Sequence, residues 1–132
     1  MRQDDQPTRV EHSFPFALAS IGEGRAAAVR DLSPRLNQRT LQDVELLVSE
    51  LVTNALRHGE PRADGTIALR LEVVDEKVRV VVEDGGNHFR WERVSLDEER
   101  VGGYGLQLVD RLATSWGLSE DGTKAVWFEV LA

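Results

Sequence analysis

From Leu41 to His58 the chain reads LQDVELLVSELVTNALRH. At about 100° per residue, Leu41, Val44, Leu47, Val48, Leu51, Val52 and Ala55 fall on one broad arc. That is the apolar stripe of a helix lying against a core. Glu50 and Asn54 are four residues apart and so stack on neighbouring turns, with Asn54 at the border of the stripe and Glu50 just outside it. The pattern alone identifies a helix and leaves its task open, because polar residues flank the stripe of any amphipathic helix.

The other elements follow from the same reading. Arg9 to Phe16 alternates Val10, His12, Phe14 and Phe16 with polar or small positions, which predicts a strand, and Pro15 places it at a sheet edge. Ala17 to Leu32 has a helical rhythm weakened by Gly22 and Gly24 and closed by Ser33-Pro34. Gly59 and Pro61 end the central helix, and Arg62 to Gly65 reads as a turn. Ile67 to Val74 and Val78 to Glu83 form an antiparallel hairpin through Asp75-Glu76-Lys77. After Asp84-Gly85-Gly86 comes a charged irregular stretch from Asn87 to Val101, and Gly102-Gly103-Tyr104-Gly105 then opens a helix from Leu106 to Ala113. Trp116 to Ser119 and Lys124 to Leu131 make a second hairpin. The order β-α-α-β-β-loop-α-β-β predicts an α+β sandwich, with helices on one face of a mostly antiparallel, mixed sheet. Residues 1 to 9 read as a disordered polar lead-in, and residues 10 to 132 as one domain.

Composition narrows the chemistry. With no cysteine, disulfides, thiolate nucleophiles and thiolate-bound zinc are excluded, and His12, His58 and His88 show no metal-binding spacing. A net charge of −7 argues against general attraction to nucleic acid, although a polyanionic nucleotide can still bind through a divalent cation. No membrane-length apolar window and no apolar leader are present, so a cytoplasmic protein is the expectation.

Two further stretches carry candidate chemistry. The glycines of 102 to 105 stand before an apolar helix, where free backbone N–H groups make an anion cradle. No Gly-Lys-Ser/Thr follows, so it is not a Walker loop, and a flexible glycine turn explains the same residues. Asp84 follows a valine-rich strand, where its carboxylate can accept from an exocyclic amine while Gly86 admits a flat ring. Asp-Gly-Gly is equally an ordinary turn.

In order and spacing, Glu50-x-x-x-Asn54, Asp84-x-Gly86 and Gly103-x-Gly105-Leu106 together resemble the Bergerat (GHKL) ATP-binding fold. The closer likeness is to stand-alone anti-sigma-factor serine/threonine kinases, especially their actinobacterial branch. It is carried by Ser49 to Ala55 with Arg57-His58-Gly59, by Gly105-Leu106 with Leu108-Val109, by Trp116-Gly117 and by Ala125 to Phe128.

The resemblance implies that Asn54 binds the Mg²⁺ bridging the phosphates of ATP and that Glu50 is the general base acting on a target Ser or Thr. It implies that Asp84 accepts from the adenine amine beside Gly86, and that Gly103, Gly105 and the backbone at Leu106 hold the phosphates under a lid from Asn87 to Val101. A sigma factor and an anti-anti-sigma antagonist are the implied partners, with no direct nucleic-acid or membrane contact. Relatives of this kind form dimers, so a homodimer is among the expectations.

The chain departs from the family pattern at His88, where glycine is usual, at Tyr104, where the lid usually has more glycine, and at Ala125, where threonine is common. A non-catalytic switch, in which ATP governs partner contact without phosphotransfer, is the competing reading. A histidine-kinase fragment is disfavoured because no dimerisation helix with a phospho-accepting His precedes the domain, and a gyrase-like ATPase because the coupled domains are missing.

Overall fold

The computed structural model of the chain describes residues 8–86, 109, 111–119 and 125–132. Within them the elements run β1 (Thr8–Pro15), α1 (Ala19–Leu32), α2 (Gln38–His58), β2 (Thr66–Val74), β3 (Lys77–Glu83), β4 (Ser115–Leu118) and β5 (Ala125–Leu131). Val109, Arg111 and Leu112 are helical. The strands form one sheet in the order β1-β2-β3-β5-β4. Every pairing among the described strands is antiparallel, so the mixed character expected from the sequence is not seen there. β1 lies at the edge, as Pro15 requires.

Both helices pack on one face of this sheet. β3 turns Val78, Val80 and Val82 inward, and β5 turns Val126, Phe128 and Val130 inward, one face of each strand meeting the stripe of α2. In that stripe Val44, Leu47, Val48 and Leu51 are wholly buried, while Leu41 packs at its margin. Each such side chain contributes about 1.5–3 kcal/mol by leaving water. Gly24, which weakens the α1 pattern in sequence, lies against α2. A Cβ built there would sit in ordinary contact, 3.6 Å from both Val48 and Val52, so alanine fits and only a longer side chain would push into α2.

Boundaries move where polar residues hide them. α2 begins at Gln38, because Asn37 caps it by accepting from the Thr40 N–H at 2.8 Å, and its polar first turn carries no apolar rhythm. α1 begins at Ala19, because the Pro15 carbonyl accepts from the Ala17 N–H and from the Ser20 hydroxyl to form a turn first. β1 takes in Thr8 and Arg9, part of the expected lead-in, because they pair with Val73 and Glu72. On the inner side, His12 Nε2 meets Asp31 Oδ2 at 2.6 Å and ties β1 to α1.

The sheet's other face is charged. Arg79 lies over the Trp127 ring at 4.4 Å, and Glu129 is flanked by Arg79 at 3.7 Å and Lys77 at 4.0 Å. Such half-exposed pairs contribute at most about 1 kcal/mol each. They lay charge along this face over the buried Val81, while the opposite face is apolar.

The β2–β3 hairpin joins Val74 to its partner Lys77 through Asp75-Glu76. Asp75 has φ 55°, the only positive value of a non-glycine among the described residues. A two-residue hairpin with positive φ at its first central position favours glycine. Asp75→Gly is therefore expected to stabilise the domain by about 0.5 kcal/mol, net of the extra chain entropy of glycine. Thermal unfolding checks this, and a lower melting temperature would refute it.

Candidate functional site

The last three turns of α2 carry Glu50 and Asn54, both half-buried on the flank of the stripe. Their neighbours Leu51, Val52 and Ala55 are at most 2% exposed, so the helix is fixed against the sheet and its flank is held at a set angle. The helix ends at Gly59, whose N–H donates to the Ala55 carbonyl at 2.8 Å.

The end of β3 reaches the same place. Asp84 is only 5% exposed, and its carboxylate lies against Gly59. A Cβ built on Gly59 would stand 2.5 Å from Asp84 Oδ2 and 2.7 Å from the Ala55 carbonyl, so only glycine allows the carboxylate to nest at the end of the helix. The Gly86 N–H donates to Asp84 Oδ1, an Asx-type turn, which is the ordinary role open to Asp-Gly-Gly in the sequence. A carboxylate so buried at a helix C-terminus also faces the negative end of the helix dipole, a position that stability alone does not select.

Main-chain contacts lock the turn. The Gly85 N–H donates to the Glu60 carbonyl at 2.7 Å, and a Cβ on Gly85 would run into the Pro61 carbonyl. A Cβ on Gly86 would lie 2.8 Å from Asp84 Oδ1 and 3.2 Å from the Gly59 Cα. All three glycines are thus places where backbone or carboxylate comes too close for a side chain. Sequence reading took Gly59 and Pro61 only as helix terminators. Their role as the wall of the Asp84 turn lies 25 residues away in sequence and has no signal in local spacing.

The structure therefore brings Asp84 and Gly86 to the end of the helix that bears Glu50 and Asn54. Gly103, Gly105, Leu106 and the stretch from Asn87 to Val101 lie outside the described residues, as do His88, Tyr104 and the acidic run Asp97 to Glu99. The helix expected after those glycines does reach the core, since Val109 is wholly buried among its residues. Ala125, a departure noted in the sequence, is wholly buried and paired with Glu83, one residue before Asp84. His58 is half-buried in the last turn of α2.

No group of three or more His, Cys, Asp or Glu side chains able to hold a metal occurs among the described residues. The donor set at α2 is a single amide oxygen beside one carboxylate. That suits Mg²⁺, which takes one or two protein oxygens and completes its shell with phosphate and water. No helix among the described residues is long and apolar enough to cross a membrane.

The chain is 32% identical over 85 residues to serine-protein kinase RsbW of Staphylococcus aureus strain bovine RF122 / ET3-1, covering 54% of each chain. The RsbW of strain MRSA252 matches with the same identity and coverage. The chain thus spans about half the length of the curated relatives it matches. The crystal structure of the RsbU and RsbW domains of a Mycobacterium tuberculosis protein superposes with a TM-score of 0.70 at 18% identity, over 94% of this chain and 32% of that one, and this likeness shows the fold. The model of the histidine kinase-like ATPase domain matches residues 14–129. With that match running through nearly all of it, from β1 to β5, the chain belongs to the histidine kinase-like ATPase domain family.

Proposed function

We propose that the protein binds Mg-ATP and transfers its γ-phosphate to a Ser or Thr of an antagonist protein of the anti-anti-sigma type, and that it sequesters a sigma factor. One observation carries the reading: the buried Asp84 carboxylate nests on Gly59, at the end of the helix that bears Asn54 and Glu50. At about 1.5 Å per residue, Asn54 stands about 7 Å and Glu50 about 13 Å along the axis from Gly59. A nucleotide whose base rests at Asp84 and whose phosphates run back along α2 meets these side chains in the order base, metal, transferred group. The name of the Staphylococcus aureus relatives, serine-protein kinase, supports the choice of acceptor.

Each residue then has one task. Asp84 accepts a hydrogen bond from the 6-amine of adenine, with Gly86 leaving room for the ring. Asn54 offers its amide oxygen to Mg²⁺, which supplies neutralisation of phosphate charge. Glu50, one turn earlier, accepts the proton of the attacking hydroxyl as that oxygen bonds to phosphorus and ADP leaves. Gly103, Gly105 and the backbone at Leu106, outside the described residues, are the groups assigned to hold the phosphates.

Calorimetric titration tests the metal site. Asn54→Ala is expected to remove the magnesium-dependent part of ATP affinity, about tenfold or more, and to leave the metal-free affinity within about twofold. Equal magnesium dependence in wild type and variant would refute the assignment. Incubation with radiolabelled ATP and candidate antagonists tests the transfer. Tight nucleotide and partner binding with no labelled antagonist would identify a switch that works by occupancy alone.

A further inference from the structure

We infer that Glu83, outside the nucleotide cleft, is a positioning residue for Asp84, acting through an ion-pair strap with Arg62 and Arg70. The inference rests on the reading of Asp84 as the base-binding carboxylate. Strand alternation puts Asp84 on the helix side and Glu83 on the opposite face of the sheet, between the buried methyl groups of Ala68 and Ala125. These small neighbours leave space over the strand end, and two arginines fill it. Arg70 Nη1 lies 3.0 Å from Glu83 Oε1, and Arg62 Nε lies 3.8 Å from Glu83 Oε2. All three side chains are about one-fifth to one-quarter exposed, so solvent weakens the pairs without dissolving them.

The same segment that supplies Arg62 also holds the residue on the other side of Asp84. The Glu60 carbonyl accepts the Gly85 N–H at 2.7 Å, and Pro61 and Arg62 leave no space for a Cβ on Gly85. Arg62 is itself anchored, because its N–H donates to the Thr66 carbonyl at 2.9 Å and its carbonyl accepts from the Gly65 N–H at 2.8 Å. Asp84 is therefore held on both sides: Glu83 by its ladder partners Ala68 and Ala125, and Gly85 by the Glu60 carbonyl. The ladder fixes the strand, and the Arg62–Glu83 pair fixes the segment that grips Gly85 against it. The ion pair thereby sets the turn in which the Asp84 carboxylate points. A hydrogen bond to an exocyclic amine depends on distance and angle, so a small shift of that turn reaches the base.

Paired titrations with ATP and with purine riboside triphosphate, which lacks the 6-amine, read the contribution of that contact. Wild type is expected to prefer ATP by about tenfold or more. Glu83→Gln is expected to shrink the preference at least about threefold and to keep affinity for purine riboside triphosphate within about twofold of wild type. Arg62→Gln, on a half-exposed loop, is expected to do the same and guards against a folding defect in the first variant. A purely structural role would weaken both nucleotides together. Unchanged preference in Glu83→Gln and Arg62→Gln, or equal loss of both ligands, overturns the inference. The parent reading fails separately. In Asp84→Asn the Gly86 N–H holds the amide oxygen, so the NH₂ group faces the base and the preference should vanish. If it persists, or if wild type shows none, Asp84 is not the base contact.

Discussion

Glu50→Gln is expected to slow transfer of phosphate to the antagonist by about 10²–10⁴-fold, the usual contribution of a positioned general base, while ATP binding stays within about twofold. Glutamine keeps the length and shape of the side chain and removes only the capacity to take a proton at neutral pH. Glu50 lies half-buried on the flank of α2, next to the fully buried Leu51, so the helix holds its backbone in place while its carboxylate can reach a ligand. The separation of binding from transfer is the informative part. Asn54 and Asp84 are unaltered in the variant, and loss of transfer with retained affinity assigns Glu50 to the chemical step. Single-turnover measurements with labelled ATP and an antagonist give the rate, and calorimetry gives the affinity. Transfer within tenfold of wild type would remove Glu50 from the mechanism, and a matching loss of ATP affinity would make it a binding residue instead.

Phe128→Ala is expected to cost about 3–5 kcal/mol of stability and, for a domain of this size, to lower the melting temperature by about 10–20 °C. Phe128 is wholly buried in β5, with Val80 beside it on one side and Trp116 on the other. Truncation leaves a cavity under α2 that its rigid neighbours cannot fill. The adjacent Trp127 is larger but points to the other face, half-exposed beneath Arg79. Trp127→Ala should therefore cost less, about 1–2 kcal/mol. Urea denaturation of both variants checks the assignment of faces. A greater loss for Trp127→Ala would invert it. Since whole-domain stability is commonly about 5–15 kcal/mol, Phe128→Ala should also reduce nucleotide binding near body temperature by unfolding the protein.

The periodicities fixed much of this. A stripe from Leu41 to Ala55 needs a core on one side, and strands alternating as Val78, Val80, Val82 and as Val126, Phe128, Val130 supply it. An apolar residue's free energy depends on whether it is wet or dry, and that preference is readable one residue at a time. For the same reason Glu50 and Asn54 could be placed on one flank of the helix, and Pro15 could mark an edge. Element starts were less legible, because Gln38 to Thr40 is polar and its helical state rests on the side chain of Asn37.

What no periodicity contains is which distant segments touch. The sheet order β1-β2-β3-β5-β4 sets β5 between β3 and β4, and with it places Ala125 opposite Glu83. The approach of Asp84 to Gly59 and the straps from residues 60–62 depend on separations of more than twenty residues, where contact is decided by how the helices settle on the sheet. The sequence by itself determined which faces must be dry and which side chains are chemically able to act. Tertiary structure alone decided that a carboxylate, a helix end and an outer-face ion pair meet at one corner, because hydrogen bonds and close packing act over a few ångströms of space, whatever the distance along the chain.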